Sequence, residues 1–257
     1  NIAAKITVNK PHTTLRGNGS ATVLKRMWNS TEIEGVVTVT TIYCRIQNLQ
    51  IDGNKSVYSD INNSGIQIHT SNNNNTITGN MCFNNGGAGI RIFQSGSNNT
   101  IIGNICFNNI IGIDFYPANN NTATGNICFN NSNGIRSLSR NSVISGNLSY
   151  NNTYRGIMLD NAVNSSVTGN VFINNNEGIY LGNHNENIVI VGNTCIRGTG
   201  LSTDYTSTQH TIRLIGTTNN HNLVACNNIK GKNYVSGGGT GNTFTGKLSG
   251  LSSGVYI

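Results

Sequence analysis

Several ingredients of ordinary globular enzymes are scarce in this sequence. Only 10% of its 257 residues are charged and 7% are aromatic, and it has two prolines and one tryptophan. No apolar run approaches the roughly 18 residues of a membrane-spanning helix, so no membrane span is expected. Basic residues are scattered, apart from the pair at 25 and 26, which argues against nucleic-acid binding. The net charge of +7 suits anionic polymers such as acidic polysaccharides.

Asparagine and glycine, in contrast, are abundant. The sequence has 48 asparagines and 31 glycines. Both are poor helix formers, which excludes an ordinary helical enzyme. Isoleucine and valine recur throughout, and the net charge per residue is low, so disorder is not expected either.

Two sequence anchors recur with one period. A Gly-Asn pair begins at residues 79, 103, 125, 146, 169 and 192, in steps of 24, 22, 21, 23 and 23. A Gly-Ile pair begins at residues 65, 89, 112, 134, 156 and 178. Each unit contains three short segments of strand length in which apolar and polar residues alternate. Turn-forming glycine and asparagine separate these segments. The repeat predicts an all-β fold, a single-stranded right-handed parallel β-helix of about nine coils, roughly 40 Å long.

The expected organisation is one β-helix domain over residues 1–257. Residues 1–35 form the opening coils, residues 36–195 the regular repeats, and residues 196–257 irregular coils with an insertion at 197–210. The first residues already look like a strand, which indicates a fragment of a longer chain. The repeat is also interrupted at 25–34 and 55–63, and solenoids often place such insertions on the binding face.

The repeat motifs resemble those of the right-handed β-helix repeat family in the pectin-lyase-like superfamily. The Gly-Asn, Asn-Asn and Gly-Ile motifs carry the resemblance over residues 36–195, and 14–25 and 46–54 resemble opening coils. The chain is most similar to Bacillus-type phage and prophage tail-appendage proteins. The superfamily contains lyases, hydrolases, epimerases, tailspikes and passive proteins, so the resemblance implies a fold more than an activity.

Stacked coils place like residues over like. The isoleucines of Gly-Ile should form an inward column, and the asparagines of Gly-Asn an amide ladder from Asn80 to Asn193. Cys82, Cys106, Cys128 and Cys195 occupy one repeated position, so we expect six free thiols rather than disulfides. Two alternatives remain for the neighbouring column. Either Cys faces inward, leaving an exposed aromatic stripe that implies self-association, or the aromatic residues face inward as core. The stripe consists of Phe83, Phe107, Phe129 and Tyr150.

Residues after Gly-Ile should point outward and form a strip suited to sugars. Arginine pairs with sugar carboxylates, and aromatic rings pack on sugar faces. The candidate binding residues are Gln67, Arg91, Phe93, Arg136, Tyr180 and Arg213. A ladder of charge pairs, Arg91–Asp114–Arg136, is the purely structural alternative.

Catalytic candidates are few, because the chain has only nine carboxylates. Asp114 and Asp160 lie two coils apart, which is near the upper limit of the distance between the two catalytic carboxylates of an inverting glycosidase. His69, Arg91, Asp114 and Tyr116 could supply the base and cation of a lyase or epimerase. Asp204 and His210 are a third candidate pair. The acidic calcium cluster of pectate lyases is absent, CxxC is absent and histidines are dispersed, so no cofactor or metal is expected.

The sequence thus favours an extracellular module, on a virion or a cell surface, that binds cell-surface or acidic polysaccharide. A polysaccharide lyase, epimerase or glycoside hydrolase is the alternative, and a passive spacer is the second alternative. Self-association, for example as a homotrimer, is expected.

Overall fold

The computed structural model describes residues 1–30, 32–197, 210–215, 218–230, 234–235 and 240–245. The chain winds into a right-handed parallel β-helix whose coils contribute one strand to each of three parallel sheets. Sheets A and B have ten described strands and sheet C has nine, in agreement with the predicted coil number. A single 3-10 turn covers Gly19–Ala21 within the described part of the chain.

The strands follow one another in chain order around each coil. Sheet A contains β1 (Ile6–Val8), β4 (Glu34–Val39), β7 (Asn63–Ile68), β10 (Ala88–Phe93), β13 (Ile111–Tyr116), β16 (Asn133–Ser137), β19 (Arg155–Leu159), β22 (Glu177–Leu181), β25 (His210–Leu214) and β28 (Tyr234–Val235). Sheet B contains β2 (Thr14–Arg16), β5 (Arg45–Gln47), β8 (Thr76–Thr78), β11 (Thr100–Ile102), β14 (Thr122–Thr124), β17 (Val143–Ser145), β20 (Ser166–Thr168), β23 (Val189–Val191), β26 (Leu223–Ala225) and β29 (Thr243–Thr245). Sheet C contains β3 (Val23–Lys25), β6 (Gln50–Asp52), β9 (Met81–Phe83), β12 (Ile105–Phe107), β15 (Ile127–Phe129), β18 (Leu148–Tyr150), β21 (Val171–Ile173), β24 (Thr194–Ile196) and β27 (Asn228–Lys230).

The predicted inward column is confirmed. The isoleucines of Gly-Ile pair in register on successive strands of sheet A, and each is fully buried: Ile66, Ile90, Ile113, Ile135, Ile157 and Ile179. Identical side chains on neighbouring strands can pack closely in the interior, because each repeats the packing of its neighbour.

The cysteines of the repeat face the interior, which settles the alternative left open by the sequence. Cys82, Cys106 and Cys128 pair in register and are completely buried, and all six cysteines are free. A Cβ at Gly112 would lie 2.9 Å from the Cys128 sulfur and 2.4 Å from the Gly134 carbonyl oxygen. Because glycine lacks a Cβ and the cysteine side chain is small, sheets A and C can approach each other inside the coil. Cys226 alone is exposed.

The predicted asparagine ladder is also confirmed. The side-chain amide of each asparagine donates to the next side-chain oxygen at 2.9–3.1 Å, from Asn80 through Asn104, Asn126, Asn147 and Asn170 to Asn193. A second ladder runs parallel to it along Asn85, Asn109, Asn131, Asn152 and Asn175. Much of the asparagine content therefore satisfies backbone groups in the turns.

Candidate functional site

The predicted strip lies on the outer face of sheet A, but its residues are less accessible than expected. Gln67, Arg91, Asp114, Arg136, Met158, Tyr180 and Arg213 pair in one register, as predicted. Residues of the first two sequence insertions, Ile33 and Ile61, lie over this face and line a cavity beside it. The predicted insertion at 197–210 lies almost wholly outside the described residues.

Gln67 is not available to a ligand, contrary to its place among the predicted binding residues. Its side chain is fully buried, and its amide donates to the Ile33 carbonyl oxygen at 3.0 Å. The segment before β4 therefore covers this end of the strip. The repeat could not reveal this cover, because that segment has no counterpart in the other coils.

Asp114 lies at the centre of a charged triad. Its Oδ2 accepts from the Arg91 Nε and the Arg136 Nη2, both at 2.9 Å, and its Oδ1 accepts from the Arg136 Nε at 2.8 Å. Asp114 is completely buried. Burial alone would lower the pKa of Arg136, but the hydrogen bonds and charge of Asp114 raise it above its ordinary value. The triad carries two permanent positive charges and one negative charge.

A cavity of about 270 Å³ opens beside this triad. Arg91, Arg136, Tyr116 and Asn62 are its polar lining residues, and isoleucines supply apolar walls, Ile33 and Ile61 from the insertions and Ile110 and Ile111 from the coil. Among the described residues, Arg91 donates to protein only through its Nε, and Arg136 through its Nε and Nη2. The remaining guanidinium nitrogens can therefore donate to an anionic group in the cavity.

The predicted aromatic residues do not present free ring faces. Phe93 and Tyr116 stack at 6.0 Å with an interplanar angle of 10°, and His69 lies against Phe93 at 6.3 Å. The Arg136 guanidinium lies 5.0 Å from the Tyr116 ring centroid. These rings pack mainly on one another and on Arg136, so sugar stacking on Phe93, as the sequence suggested, does not fit the geometry.

The catalytic candidates have structural partners. Three guanidinium donors occupy the Asp114 oxygens, which leaves that carboxylate poorly suited to accept a substrate proton. Asp160 follows β19, two strands away in sheet A, and its Oδ1 accepts a hydrogen bond from the Asn183 backbone N–H at 2.8 Å. His210 is buried in β25, and Asp204 lies outside the described residues.

A second charged triad lies further along sheet A and was not among the residues predicted from the sequence. The Glu177 carboxylate accepts from the Arg155 Nε at 2.9 Å and from the Arg213 Nη1. Tyr180 lies between these arginines, with the Arg155 guanidinium 3.7 Å from its ring centroid. Arg155 and Glu177 each precede a Gly-Ile pair, in consecutive repeats. That spacing was the available signal, since it places them on adjacent strands.

The outer face of sheet C is apolar over six strands. The predicted aromatic stripe is partly exposed, and its rings stack at 4.9–5.1 Å with interplanar angles of 5–8°. A second partly exposed column runs beside it along Met81, Ile105, Ile127, Leu148 and Val171. Ile173 and Ile196 continue the column of the stripe over two further strands. Lys25 and Asp52 border this column at one end and Lys230 at the other.

Comparisons with known proteins support the fold. Residues 48–257 match the sequence profile of the family described as periplasmic copper-binding protein (NosD). The Dettilon tailspike protein (gp208) superposes with a TM-score of 0.63 at 16% identity, covering 93% of this chain. This chain spans only 59% of the tailspike's length. No curated protein matches the sequence.

Two carbohydrate-active proteins also share the fold. The A-module of the Azotobacter vinelandii mannuronan C-5 epimerase AlgE4 superposes with a TM-score of 0.54 at 14% identity, covering 98% of this chain and 90% of the module. The DFA-IIIase of Arthrobacter chlorophenolicus A6, solved in complex with GF2, superposes with a TM-score of 0.57 at 12% identity, covering 95% and 74%. The described part of the present chain contains no helix of the length and apolarity needed to span a membrane.

Proposed function

This chain belongs to the NosD family of β-helix proteins, and from its geometry we propose that it binds an acidic polysaccharide in the sheet A cavity without turning it over. The excess positive charge of the Arg91–Asp114–Arg136 triad carries this proposal. Asp114 neutralises only one of the two guanidinium groups, and Arg91 is 7% exposed. A partly buried charge is costly unless it is paired, so an anionic ligand would stabilise the site.

The cavity chemistry favours a sugar carboxylate. A guanidinium offers a planar fork of N–H donors that matches a carboxylate. Ile33 and Ile61 provide apolar walls for the carbon face of a sugar ring, and Tyr116 contributes an exposed phenol. An acidic sugar residue would therefore place its carboxylate against Arg136 and its ring against the isoleucines.

Catalysis is not part of this proposal. Asp114 and Asp160 are both held by hydrogen bonds from protein donors, and they lie on different coils. Glycoside hydrolysis requires two carboxylates that flank one bond. Mannuronan epimerisation is the activity of AlgE4 and is not assigned to this chain. We place the proposed binding outside the cytoplasm, because the family is described as periplasmic.

The family description also names copper, and the described residues do not fit a copper ion. Copper sites use thiolate, imidazole and thioether ligands. Cys106 and Cys128 are completely buried, and burial raises the pKa of Cys195, which keeps its thiol protonated. Within the described ranges, no three His, Cys, Asp or Glu side chains come together. The proposed function therefore has no step that involves copper.

Arg136→Gln should weaken binding of oligogalacturonate about tenfold or more, because it removes a charge-assisted donor and the excess positive charge. Isothermal titration calorimetry would measure the change, with neutral dextran as the ligand control. Arg140→Gln removes an exposed arginine of the turn before β17 and should leave binding unchanged. Equal affinity in wild type and Arg136→Gln would contradict the proposed site. Release of reducing ends or unsaturated products by the wild type would instead establish an enzyme.

We further propose that the apolar face of sheet C packs against a second copy of the chain. The stacked rings turn their edges outward, so they offer little surface for sugar stacking but a ridged apolar surface for protein. The ridges repeat at 4.9–5.1 Å, and another copy has the same period, so ridges of one copy match grooves of the other. Exposed apolar patches with polar rims are typical of protein interfaces.

Phe107→Lys should shift the chain towards monomer, because it buries an unpaired charge at the centre of that interface. Multi-angle light scattering over a concentration series would show the change in mass. Val143→Lys is the matched control, since Val143 is 41% exposed on sheet B. A wild-type chain that stays monomeric at the highest concentration would refute the interface.

A further inference from the structure

The second triad makes the outer face of sheet A a double anion site. We propose that Arg155, Glu177 and Arg213 form a second subsite, so that the ligand is a polyanion long enough to reach both triads. This inference rests on the proposed function, because it extends the ligand from the cavity beside Arg136. It adds the requirement that acidic groups repeat along the ligand.

Each triad consists of two arginines that share one buried carboxylate. Glu177 is 3% exposed, and it is shared between Arg155 and Arg213 as Asp114 is shared between Arg91 and Arg136. Burial raises the pKa of the Tyr180 phenol, although Arg155 opposes that rise, so the ring between the two arginines stays neutral. Each triad therefore contributes one net positive charge to this face.

The order of charges along sheet A points to where the ligand lies. Six successive strands, from β10 to β25, carry charges in the order plus, minus, plus, plus, minus, plus. The two positive charges that follow each other in this strand order are Arg136 on β16 and Arg155 on β19, and Arg155 lies three residues before Met158, the register partner of Arg136. No carboxylate of the triads lies between them, and Met158 pairs with Arg136 while its sulfur lies 3.5 Å from the Arg155 Nη1.

Arg136 is the register partner of Met158 and Arg155 reaches the Met158 sulfur, so an anion bound over Met158 would be attracted by both arginines. The central carboxylates of the two triads lie on β13 and β22, three strands apart, and Glu177 lies three residues before the register partner of Asp114, so their backbones are roughly 17 Å apart. A linear polyanion that lies over Met158 would therefore contact both Arg136 and Arg155. A ligand with a single acidic group would satisfy only one of them.

The test uses oligogalacturonates of increasing length with the intact chain. Wild-type affinity should rise with length until the oligomer spans both triads. Arg155→Gln should lower affinity for the long oligomers about tenfold and leave the shortest binding oligomer unaffected. Long-oligomer affinity unchanged in Arg155→Gln would overturn the second subsite, while an effect of Arg136→Gln would leave the proposed function standing. If no oligomer binds to the wild type, both proposals fail.

A second variant separates loss of binding from loss of folding. Met158→Glu places a carboxylate between Arg136 and Arg155, where the ligand's acidic group would lie. Long-oligomer affinity should fall about tenfold or more, while the thermal midpoint should stay the same or rise. Met158→Gln has nearly the same shape without the charge and should bind as the wild type does. Unchanged affinity in Met158→Glu, or a lowered thermal midpoint, would contradict the inference.

Discussion

Asp114→Ala is expected to lower the free energy of unfolding by about 3–5 kcal/mol, because it leaves the buried Arg91 and the partly buried Arg136 without their shared partner. The Arg91 and Arg136 side chains are 9% and 23% exposed, so water can solvate them only in part. The two guanidinium groups would also repel each other across the vacated position. Urea unfolding followed by circular dichroism would measure the loss.

A triple variant distinguishes stability from binding. Replacing the whole triad with apolar residues of similar size, as Arg91→Met, Asp114→Leu and Arg136→Met, should recover most of that stability. Buried ion pairs are often no more stabilising than well-packed apolar groups. The same variant should lose oligogalacturonate binding. A triple variant less stable than Asp114→Ala would show that the triad is retained for stability, which is the structural alternative.

Asn126→Ala is expected to lower the free energy of unfolding by about 3 kcal/mol. The Asn126 Oδ1 accepts from the Asn104 backbone amide at 2.9 Å and from the Asn104 side chain at 3.0 Å. Its Nδ2 donates to the Ile101 carbonyl oxygen at 2.9 Å and to Asn147 at 3.0 Å. Alanine would therefore leave a buried amide without its acceptor, and a donor would be lost from a buried carbonyl.

Asn183→Ala is the matched control for the ladder. Asn183 is exposed in a turn after β22, so its replacement should change stability by less than about 0.5 kcal/mol. Thermal or urea unfolding of both variants against the wild type would provide the comparison. Similar small losses in the two variants would mean that the ladder contributes little to stability.

Features that repeat in every coil could be predicted from the sequence. The period of Gly-Asn and Gly-Ile correctly placed the Ile66–Ile179 column inside the coil and the Asn80–Asn193 ladder at the turns. It also placed Gln67, Arg91, Asp114 and Arg136 in one register. A repeat puts equivalent residues in equivalent surroundings, so one interpretation applies to six positions at once.

Side-chain contacts at the candidate site depended on features that the repeat does not contain. The cover over Gln67 comes from an opening segment that occurs once, and the stacking of Phe93 on Tyr116 depends on side-chain rotamers. The pairing of Glu177 with Arg213 crosses the largest irregularity in the chain. The sequence by itself therefore determined the coil, its interior and its registers, because these follow from the period. Only the tertiary structure decided which outward groups are covered, paired or open to a ligand, because those contacts join segments that share no repeat.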